Sequence, residues 1–255
     1  MDGVTSVLNP PVLECRSVGR TFGGVQALTD LSLAVRQREV VGVAGSNGAG
    51  KSTLFNVVAG ALRPSSGEVW FDGERIDGER PDQVCKRGIA RTFQTPPQAG
   101  EETVFQHVSL GAWYGRRGLR GVRGNRRVVE AQTWSALDAV GLDNHAERQL
   151  ADLNHFDRKR AMLAAALSCG PKLLLLDELA AGLSPEEVDG LAGIVRSLAV
   201  SGLTLLVIEH LMSFLSGTVS RLVVMHEGRL LFEGTVAEVA ASEAVVRTWL
   251  GGGTR

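Results

Sequence analysis

The residues with the most specific chemical pattern are 45–53, which read GSNGAGKST and match G-x-x-x-x-G-K-[ST] at every specified position. The glycines of this stretch free the backbone to turn successive N–H groups toward one anion. Lys51 adds a cation for phosphate oxygens, and the Ser52 hydroxyl is a ligand that Mg²⁺ accepts. The segment therefore predicts a phosphate-binding loop.

The neighbouring residues give this loop the setting that it needs. The apolar run Val40–Ala44 precedes it, and Leu54–Leu62 follows it with helical apolar spacing. A strand, a glycine loop and a helix in this order direct the positive end of the helix toward the phosphates. A chance glycine-rich turn would not be expected to have both flanking elements.

Two acidic residues, Asp177 and Glu178, follow four consecutive leucines in the stretch KLLLLDE. A run without a polar face predicts a strand buried on both sides, as in a parallel sheet. Acids at the C-terminal end of such a strand lie where ligands bind in open α/β sheets. We expect Asp177 to hold Mg²⁺ through water and Glu178 to polarise the attacking water as a general base.

Three further residues are weaker candidates, each with a structural alternative. His210 follows the apolar strand predicted at 203–209 and could meet the terminal phosphate, although a histidine at a strand end is often structural. Gln94 follows a strand predicted at 89–93 and could ligate a metal or orient water, or could simply be solvated. Phe22 precedes a Gly-Gly turn and could stack on a purine base or plug the local core.

The composition limits the kinds of partner and the location. The chain has 255 residues, a net charge of −1 and a pI near 6.5, so its overall charge gives no reason to bind nucleic acid or an anionic membrane. It has no signal-like N-terminus and no run of apolar residues long enough to span a bilayer, so we expect it neither to cross a membrane nor to be secreted. Cys15, Cys85 and Cys169 are far apart in sequence and are expected to be buried thiols in a reducing cytoplasm.

The remaining periodicities predict a strand-rich start, a helical middle and a mixed end. The expected strands, hairpins and helices lie at 13–18, 28–35, 67–76, 103–113, 128–142, 156–167, 221–225, 229–234 and 236–250. Between the two middle helices, residues 115–127 contain six arginines and four glycines. This stretch is either a flexible solvated loop or a contact for phosphate headgroups or an acidic partner.

Taken together, the phosphate loop, Gln94, KLLLLDE, residues 181–184 (AGLS) and His210 resemble the ATP-binding subunit of an ATP-binding cassette (ABC) transporter. The finer resemblance is to the ATPases of branched-chain amino acid importers, on TFGGVQAL, GSNGAGKSTLFN, IARTFQT, LLLLDELAAGLSPEE, VIEHLM and VVRTWLGG. It covers nearly the whole chain.

The resemblance implies ATP and Mg²⁺ as cofactors and assigns roles to individual residues. Glu178, His210 and Gln94 would be catalytic, while Ser52, Gln94 and Asp177 would hold the metal. ATP would be bound by Phe22, stacking on adenine, and by Gly45, Ser46, Asn47, Gly48, Ala49, Gly50, Lys51, Ser52 and Thr53.

The resemblance also implies an α/β fold of the P-loop NTPase class, with a RecA-like core on a mostly parallel sheet, an antiparallel β subdomain and an inserted helical subdomain. Residues 11–252 would form one nucleotide-binding domain. The core and β subdomain would take 11–94 and 160–252, and the helical subdomain about 95–159. Residues 1–10 would be a flexible N-terminus.

One segment departs from the family pattern. The signature motif, LSGGQ or a variant, should begin the helix after the helical subdomain, but Leu153–Asp157 reads LNHFD. In the family this segment caps the γ phosphate held by the other subunit of a head-to-tail dimer. His155 and Phe156 do not allow phosphate to approach as glycine does, and Asp157 adds an anion that Arg158 and Lys159 could partly offset. We therefore expect the site completed by this segment to hydrolyse ATP poorly.

The implied partners follow from the same resemblance. We expect a heterodimer with a second ABC ATPase whose signature is intact, transmembrane permease subunits, an indirect link to a solute-binding protein and no nucleic acid. The chain would lie peripherally on the cytoplasmic face of the cell membrane. Two alternatives stay open: a regulatory subunit that binds ATP with attenuated turnover, and a soluble ABC ATPase unrelated to transport.

Overall fold

The computed structural model describes residues 10–92, 101–115 and 126–250, and its centre is a six-stranded sheet in the order β10-β9-β3-β8-β7-β6. The strands are β3 (Val40–Gly45), β6 (Ile89–Arg91), β7 (Leu173–Asp177), β8 (Thr204–Ile208), β9 (Arg221–His226) and β10 (Arg229–Gly234). All neighbours run parallel except β9 and β10, which form a hairpin. Every residue of β3, β7 and β8 is buried, as their continuous apolar runs predict.

The register of this sheet brings the chemically important strand ends to one edge. Asp177 of β7 lies opposite Ile208 of β8, and Val43 of β3 lies opposite the same Ile208 on its other side. The loop after β3 and the acids after β7 therefore leave the sheet side by side. This edge is where ligands bind in open α/β sheets.

A separate antiparallel sheet has the order β2-β1-β4-β5, formed by β1 (Leu13–Phe22), β2 (Val25–Val35), β4 (Ser66–Phe71) and β5 (Glu74–Arg75). Its hairpins turn at Gly23-Gly24 and at Asp72-Gly73, and all four turn residues have positive φ, as such tight turns require. Gly228, in the β9–β10 turn, joins the two sheets: its N–H donates to Ala49 O at 3.1 Å, and its carbonyl accepts from Thr29 N at 2.9 Å.

The helices are α1 (Lys51–Val58), α2 (Pro81–Arg87), α3 (Val104–Tyr114), α4 (Arg126–Ala139), α5 (His155–Ser168), α6 (Pro185–Val200), α7 (Met212–Thr218), α8 (Val236–Ala241) and α9 (Glu243–Leu250). Helix α3 packs against α4 and α5, and one apolar cluster runs from these helices to β7 and β8. The predicted boundary of the helical subdomain at 159 lies within the continuous helix α5. Among the described residues, no helix combines the length and apolar character needed to cross a membrane.

The predicted elements are confirmed, with differences at their ends. Strands β1 and β2 extend to meet at the Gly-Gly turn, and α4 begins and ends earlier than its periodicity predicts. Strand β6 reaches Arg91, while Phe93 and Gln94 lie outside the described residues, as do 1–9 and the arginine-rich stretch 116–125. The expectation of three buried thiols is wrong in part. Cys15 is buried, whereas Cys85 and Cys169 are half-buried and border the same groove.

Candidate functional site

The loop between β3 and α1 has the backbone that its glycines predict. Gly45, Gly48 and Gly50 all have positive φ, at 151°, 82° and 98°. A side chain at Gly50 is excluded for a second reason, because its Cβ would lie 2.5 Å from Ala27 O. Gly50 is also the N-cap of α1, which receives no side-chain cap and has no acidic residue in its first turn. The positive end of α1 is thus left open to an anion.

Lys51 lies inside this loop. Its ammonium group donates to Gly45 O at 2.7 Å and to Ser46 O at 3.0 Å, and the residue is only 8% exposed. Burial lowers the pKa of Lys51, while the negative charges of Glu178 and Asp177 oppose that shift. A cation held at the base of the loop, with two carboxylates in electrostatic reach, suits the binding of phosphate oxygens.

Asp177 is almost completely buried, at 1% exposure, and one of its oxygens is paired with an arginine of the neighbouring strand. Arg91 Nη2 donates to Asp177 Oδ2 at 2.6 Å, and Arg91 Nη1 donates to Asn56 Oδ1 of α1 at 2.6 Å. The other carboxylate oxygen, Oδ1, is buried without a protein partner. A buried acceptor of this kind needs a water or a cation, so the donor set fits the predicted Mg²⁺ ligand.

Glu178 follows in a left-handed conformation, with φ of 46°, which is uncommon for a residue other than glycine. Its N–H donates to Ile208 O at 2.9 Å, which continues the pairing of β7 with β8 by one residue. The turn brings Glu178 to the wall of the phosphate-loop cleft. A carboxylate in this position has access to water beside bound phosphate.

The strand end at β8 contains a carboxylate that the sequence analysis did not single out. Glu209 is 1% exposed, and its Oε1 accepts from Ala180 N at 2.7 Å while its Oε2 accepts from His210 N at 3.3 Å. Burial raises the pKa of Glu209, against the effect of those backbone hydrogen bonds. The residue therefore ties the turn after β7 to the turn after β8. The sequence signal that could have identified Glu209 is its position as a charged residue between an apolar strand and the candidate His210.

His210 itself is exposed, with its Nδ1 4.0 Å from Glu209 Oε2. Lys159 of α5 lies close to the same carboxylates: it is 3% exposed, burial lowers its pKa, and Glu209 and Glu178 oppose that shift. The expectation that Lys159 offsets the charge of Asp157 is thus wrong, because its electrostatic neighbours are the carboxylates at the ends of β7 and β8.

One cleft brings most of the predicted ligand-binding residues together. It has a volume of about 470 Å³ and is lined by Phe22, Ala27, Asn47, Gly48, Ala49, Gly50, Lys51, Ser52, Thr53 and Glu178. Phe22 is 41% exposed, with the Arg20 guanidinium 4.6 Å from its ring centroid, and it belongs to none of the apolar core clusters of the described residues. The core-plug interpretation of Phe22 is therefore not supported. Gln94 lies outside the described residues, and its role stays a prediction.

The first turn of α5 is built differently from that of α1. Asn154 is the N-cap, and its side chain accepts from Asp157 N at 2.7 Å. Asn154 and His155 are exposed, and Phe156 is half-buried beneath the Arg160 guanidinium, which lies 4.9 Å from the ring centroid. His155 Nε2 lies 3.4 Å from the point that a Cβ on Gly182 would occupy. The side chains of this turn thus contact the chain's own residues.

The anion expected at Asp157 is neutralised, but by Arg160 and not by Arg158 or Lys159. Asp157 is buried and forms an ion pair with Arg160. Arg158, expected to offset the charge, instead donates to the carbonyl oxygens of Leu153 and Ala151, at 2.9 and 2.7 Å. Because the charge is neutralised within α5, Asp157 adds little repulsion toward a phosphate.

A second, larger cavity lies on the far side of Arg91. This groove, between α2, β6, α3 and α5, has a volume of about 810 Å³ and is lined mostly by apolar side chains, among them Ile89, Leu110 and Met162. Arg91 and Thr92 also line it, at the point where the described chain stops before Gln94. Arg91 thus connects the α2–α5 groove to Asp177, which precedes Glu178 in the wall of the phosphate cleft.

Comparison with known proteins identifies relatives of this arrangement. A family model described as ABC transporter matches residues 28–181. The chain is 32% identical over 255 residues to the high-affinity branched-chain amino acid transport ATP-binding protein LivG of Salmonella typhimurium, covering 96% of this chain and 99% of LivG. It is 32% identical over 253 residues to the equivalent protein BraF of Pseudomonas aeruginosa, with the same coverage. The ADP conformation of MJ1267, an ATP-binding cassette of an ABC transporter, matches with a TM-score of 0.86 and 28% identity, covering 94% of this chain and 99% of MJ1267.

Proposed function

The chain belongs to the ABC transporter family as an ATP-binding subunit with the α/β fold of a P-loop NTPase, and on that premise we propose that it powers an importer of branched-chain amino acids or related small solutes. The solute class rests on the similarity to LivG and BraF, which are branched-chain amino acid transport proteins. The proposed location is the cytoplasmic face of the membrane, in contact with permease subunits. A solute-binding protein would act on the chain only through those subunits.

The proposal that the chain hydrolyses ATP is supported by one cleft that the phosphate loop, Lys51 and Glu178 line together. We assign the phosphates of ATP to the loop N–H groups, the open end of α1 and the Lys51 ammonium. Phe22, at the mouth of the cleft, is assigned to the adenine ring. Glu178 orients and polarises the attacking water, and His210 contacts the γ phosphate.

Mg²⁺ is the metal that the donor set fits. The Ser52 hydroxyl lines the cleft, and the unpartnered Oδ1 of Asp177 is a buried acceptor. We assign these two residues and Gln94 to the metal. When bound, Mg²⁺ neutralises charge on the β and γ phosphates. Arg91 holds the other Asp177 oxygen, and so fixes the direction in which this carboxylate points.

The α2–α5 groove is assigned to the permease. It is apolar, it lies between the sheet and the helical part of the chain, and Arg91 links it to Asp177. A permease segment that shifts Arg91 would change the environment of the proposed metal ligand directly. Gln94, two residues beyond the described Thr92, is assigned to the same coupling.

The proposed assembly is a heterodimer with a second ABC ATPase. The site formed by this chain's loop needs a signature segment from its partner, while the first turn of α5 is poorly suited to complete the partner's site. A homodimer would contain that defect twice. The structure of this turn also favours a second candidate function, a regulatory subunit that binds ATP with little turnover.

The test is steady-state ATP hydrolysis by the purified chain, alone and with the candidate partner ATPase, with ATP binding measured in parallel. We expect low activity alone and a rise with the partner. Glu178→Gln should reduce that activity by about 10²- to 10⁴-fold, the range of general-base catalysis, and leave ATP binding intact.

Two outcomes separate the alternatives. High activity of the chain alone would contradict the defect assigned to residues 153–157. ATP binding without any rise in hydrolysis on adding an active partner would support the regulatory subunit instead.

A further inference from the structure

Two cysteines that are distant in sequence meet in the α2–α5 groove. Cys85 lies in α2, and Cys169 is the C-cap residue of α5. Both line the groove, the thiol of each shifts the pKa of the other, and Cys169 Sγ lies 3.5 Å from Ala165 O of its own helix. Both residues border one groove and their thiols act on each other, so a covalent bond between them would join α2 to α5 within that groove. The pair is therefore a candidate for disulfide formation.

Both thiols are accessible to a small reagent. Each cysteine is half-buried, and both line the α2–α5 groove together with His107 and Met162. The third cysteine, Cys15, provides a contrast within the same chain. It is 1% exposed in β1, inside the apolar cluster between the two sheets, and burial raises the pKa of its thiol to about 12. Access thus separates one reactive pair from one inert thiol.

The electrostatics divide the pair into two roles. The neighbouring Cys169 thiol lowers the pKa of the Cys85 thiol, and the positive charge of Lys86 acts in the same direction, against burial and the charge of Asp82. The Cys85 thiol in turn raises the pKa of Cys169, as does burial. Cys85 is therefore the thiol that ionises, and Cys169 keeps its proton. A thiolate next to a protonated thiol is the arrangement of a nucleophile with a resolving partner.

We propose that Cys85 and Cys169 are an oxidation site, at which a hydroperoxide converts the two thiols into a disulfide that joins α2 to the C-terminal end of α5. The Cys85 thiolate attacks the peroxide oxygen, the O–O bond breaks, and a sulfenic acid forms with release of water or an alcohol. Cys169 then attacks the Cys85 sulfur, the S–O bond breaks, and a second product leaves as water. Two thiols are oxidised by two electrons and one peroxide is reduced.

The bond would change the groove in which it forms. Helix α2 and the end of α5 both border that groove, so a covalent link between them fixes their spacing. If the groove receives a permease segment, the oxidised chain would receive it differently from the reduced chain. This consequence rests on the proposed function, whereas formation of the disulfide does not.

The experiment treats the purified full chain with hydrogen peroxide and maps its thiols. We expect free thiols to fall from three to one per chain and the intact mass to fall by about 2 Da, both reversed by dithiothreitol. Peptide mapping without reduction should recover a Cys85–Cys169 cross-link. Cys85→Ser should abolish the reaction, and Cys169→Ser should leave a sulfenic acid at Cys85 that dimedone captures.

The matched control is Cys15→Ala, which should form the same cross-link at the same rate as the wild type. Because thermal unfolding of each variant is measured beside its thiol content, loss of the cross-link through misfolding can be recognised. The proposal is overturned if folded wild-type chain gives sulfinic acid at Cys85 without a cross-link, or cross-links between chains only. It is also overturned if Cys15 is oxidised as fast as Cys85.

Discussion

Two helix N-termini in this molecule have opposite chemistry. Helix α1 begins at Gly50 with no side-chain cap and no acidic residue in its first turn, so its N–H groups and positive end remain available to a ligand. Helix α5 begins at Asn154, whose side chain caps the helix, and Asp157 already supplies an anion to its first turn. A helix N-terminus becomes an anion site only where the sequence leaves it open.

The α5 segment, residues 153–157, differs from the phosphate loop in attraction more than in repulsion. The carboxylate of Asp157 is paired with Arg160, so it adds little repulsion toward a phosphate on another chain. Attraction for a phosphate is weaker at α5 than at α1: the N–H of Asp157 is already bound by the Asn154 side chain, and the side chains of His155 and Phe156 stand where the family pattern has glycine. The N-terminus of α1 and the N-terminus of α5 can be altered by separate substitutions.

The largest loss of stability is expected from removing Arg91, the cation that pairs with the buried Asp177 beside the phosphate site. Arg91→Ala leaves Asp177 without its cation and Asn56 without its donor, and removing one partner of a buried pair costs about 3 kcal/mol or more. Urea unfolding should show this loss. The matched variant at α5 is Arg158→Ala, which removes a guanidinium that donates to two backbone carbonyl oxygens and should cost about 1 kcal/mol.

A double variant identifies the cause of that loss. Arg91→Ala combined with Asp177→Asn removes the unpaired charge and should recover part of the stability lost in Arg91→Ala alone. Equal losses of unfolding free energy in the Arg91 and Arg158 variants would show that the Arg91–Asp177 pair contributes no more to stability than hydrogen bonds to backbone carbonyls do.

The next effect comes from opening the N-terminus of α5. The triple change Asn154→Ser, His155→Gly and Phe156→Gly keeps the Asp157–Arg160 pair but restores a hydroxyl and two glycines. A hydrogen bond to a charged phosphate contributes about 1.5–3 kcal/mol, so ATP hydrolysis by the chain alone should rise by about tenfold or more. The same triple change in a Glu178→Gln background should stay inactive. An unchanged rate in the first variant would place the defect elsewhere.

A smaller effect is expected for the charge of this segment. Asp157→Asn removes the ion pair with Arg160 and the favourable carboxylate in the first turn of α5, so the chain should lose about 1 kcal/mol of stability in urea unfolding. Hydrolysis with the partner ATPase should change by less than about threefold, which is below 1 kcal/mol. A large rise in hydrolysis would show that repulsion by Asp157 limits the site after all.

The sequence predicts the phosphate loop and the start of α1 well because the residues that determine them are close together in the chain. Gly45, Gly48, Gly50 and Lys51 act within one loop, and the strand and helix on either side are visible as continuous apolar patterns. The roles of Arg91 and Glu209 were missed because their partners come from other strands and turns. Arg91 meets Asn56 and Asp177, and Glu209 meets the N–H of Ala180. No spacing along the chain indicates such contacts.

The same reason explains the wrong expectations at α5 and at the cysteines. The helical register decides which cation neutralises Asp157. Arg160 is three residues further along and pairs with it, whereas Lys159 lies near the carboxylates of Glu209 and Glu178. Cys85 and Cys169 meet only because α2 and the end of α5 border one groove. Sequence distance gave no information about either contact.

The smallest expected effect is the contribution of Glu209, at the end of β8, to the pH dependence of the chain's stability. Burial raises the pKa of this carboxyl in the folded chain above its unfolded value of 4.5, and the hydrogen bonds from Ala180 and His210 oppose the shift. A raised pKa means that the folded state holds the proton more tightly, so this residue's contribution to stability falls as pH rises from about 4.5 through the folded pKa. In Glu209→Gln that component should be absent, while the side-chain oxygen can still accept from Ala180 N. Urea unfolding of both proteins across this range should therefore show the wild type losing stability relative to the variant as pH rises. A difference that is constant with pH would mean that Glu209 keeps its ordinary pKa, and that its two backbone hydrogen bonds fully offset its burial.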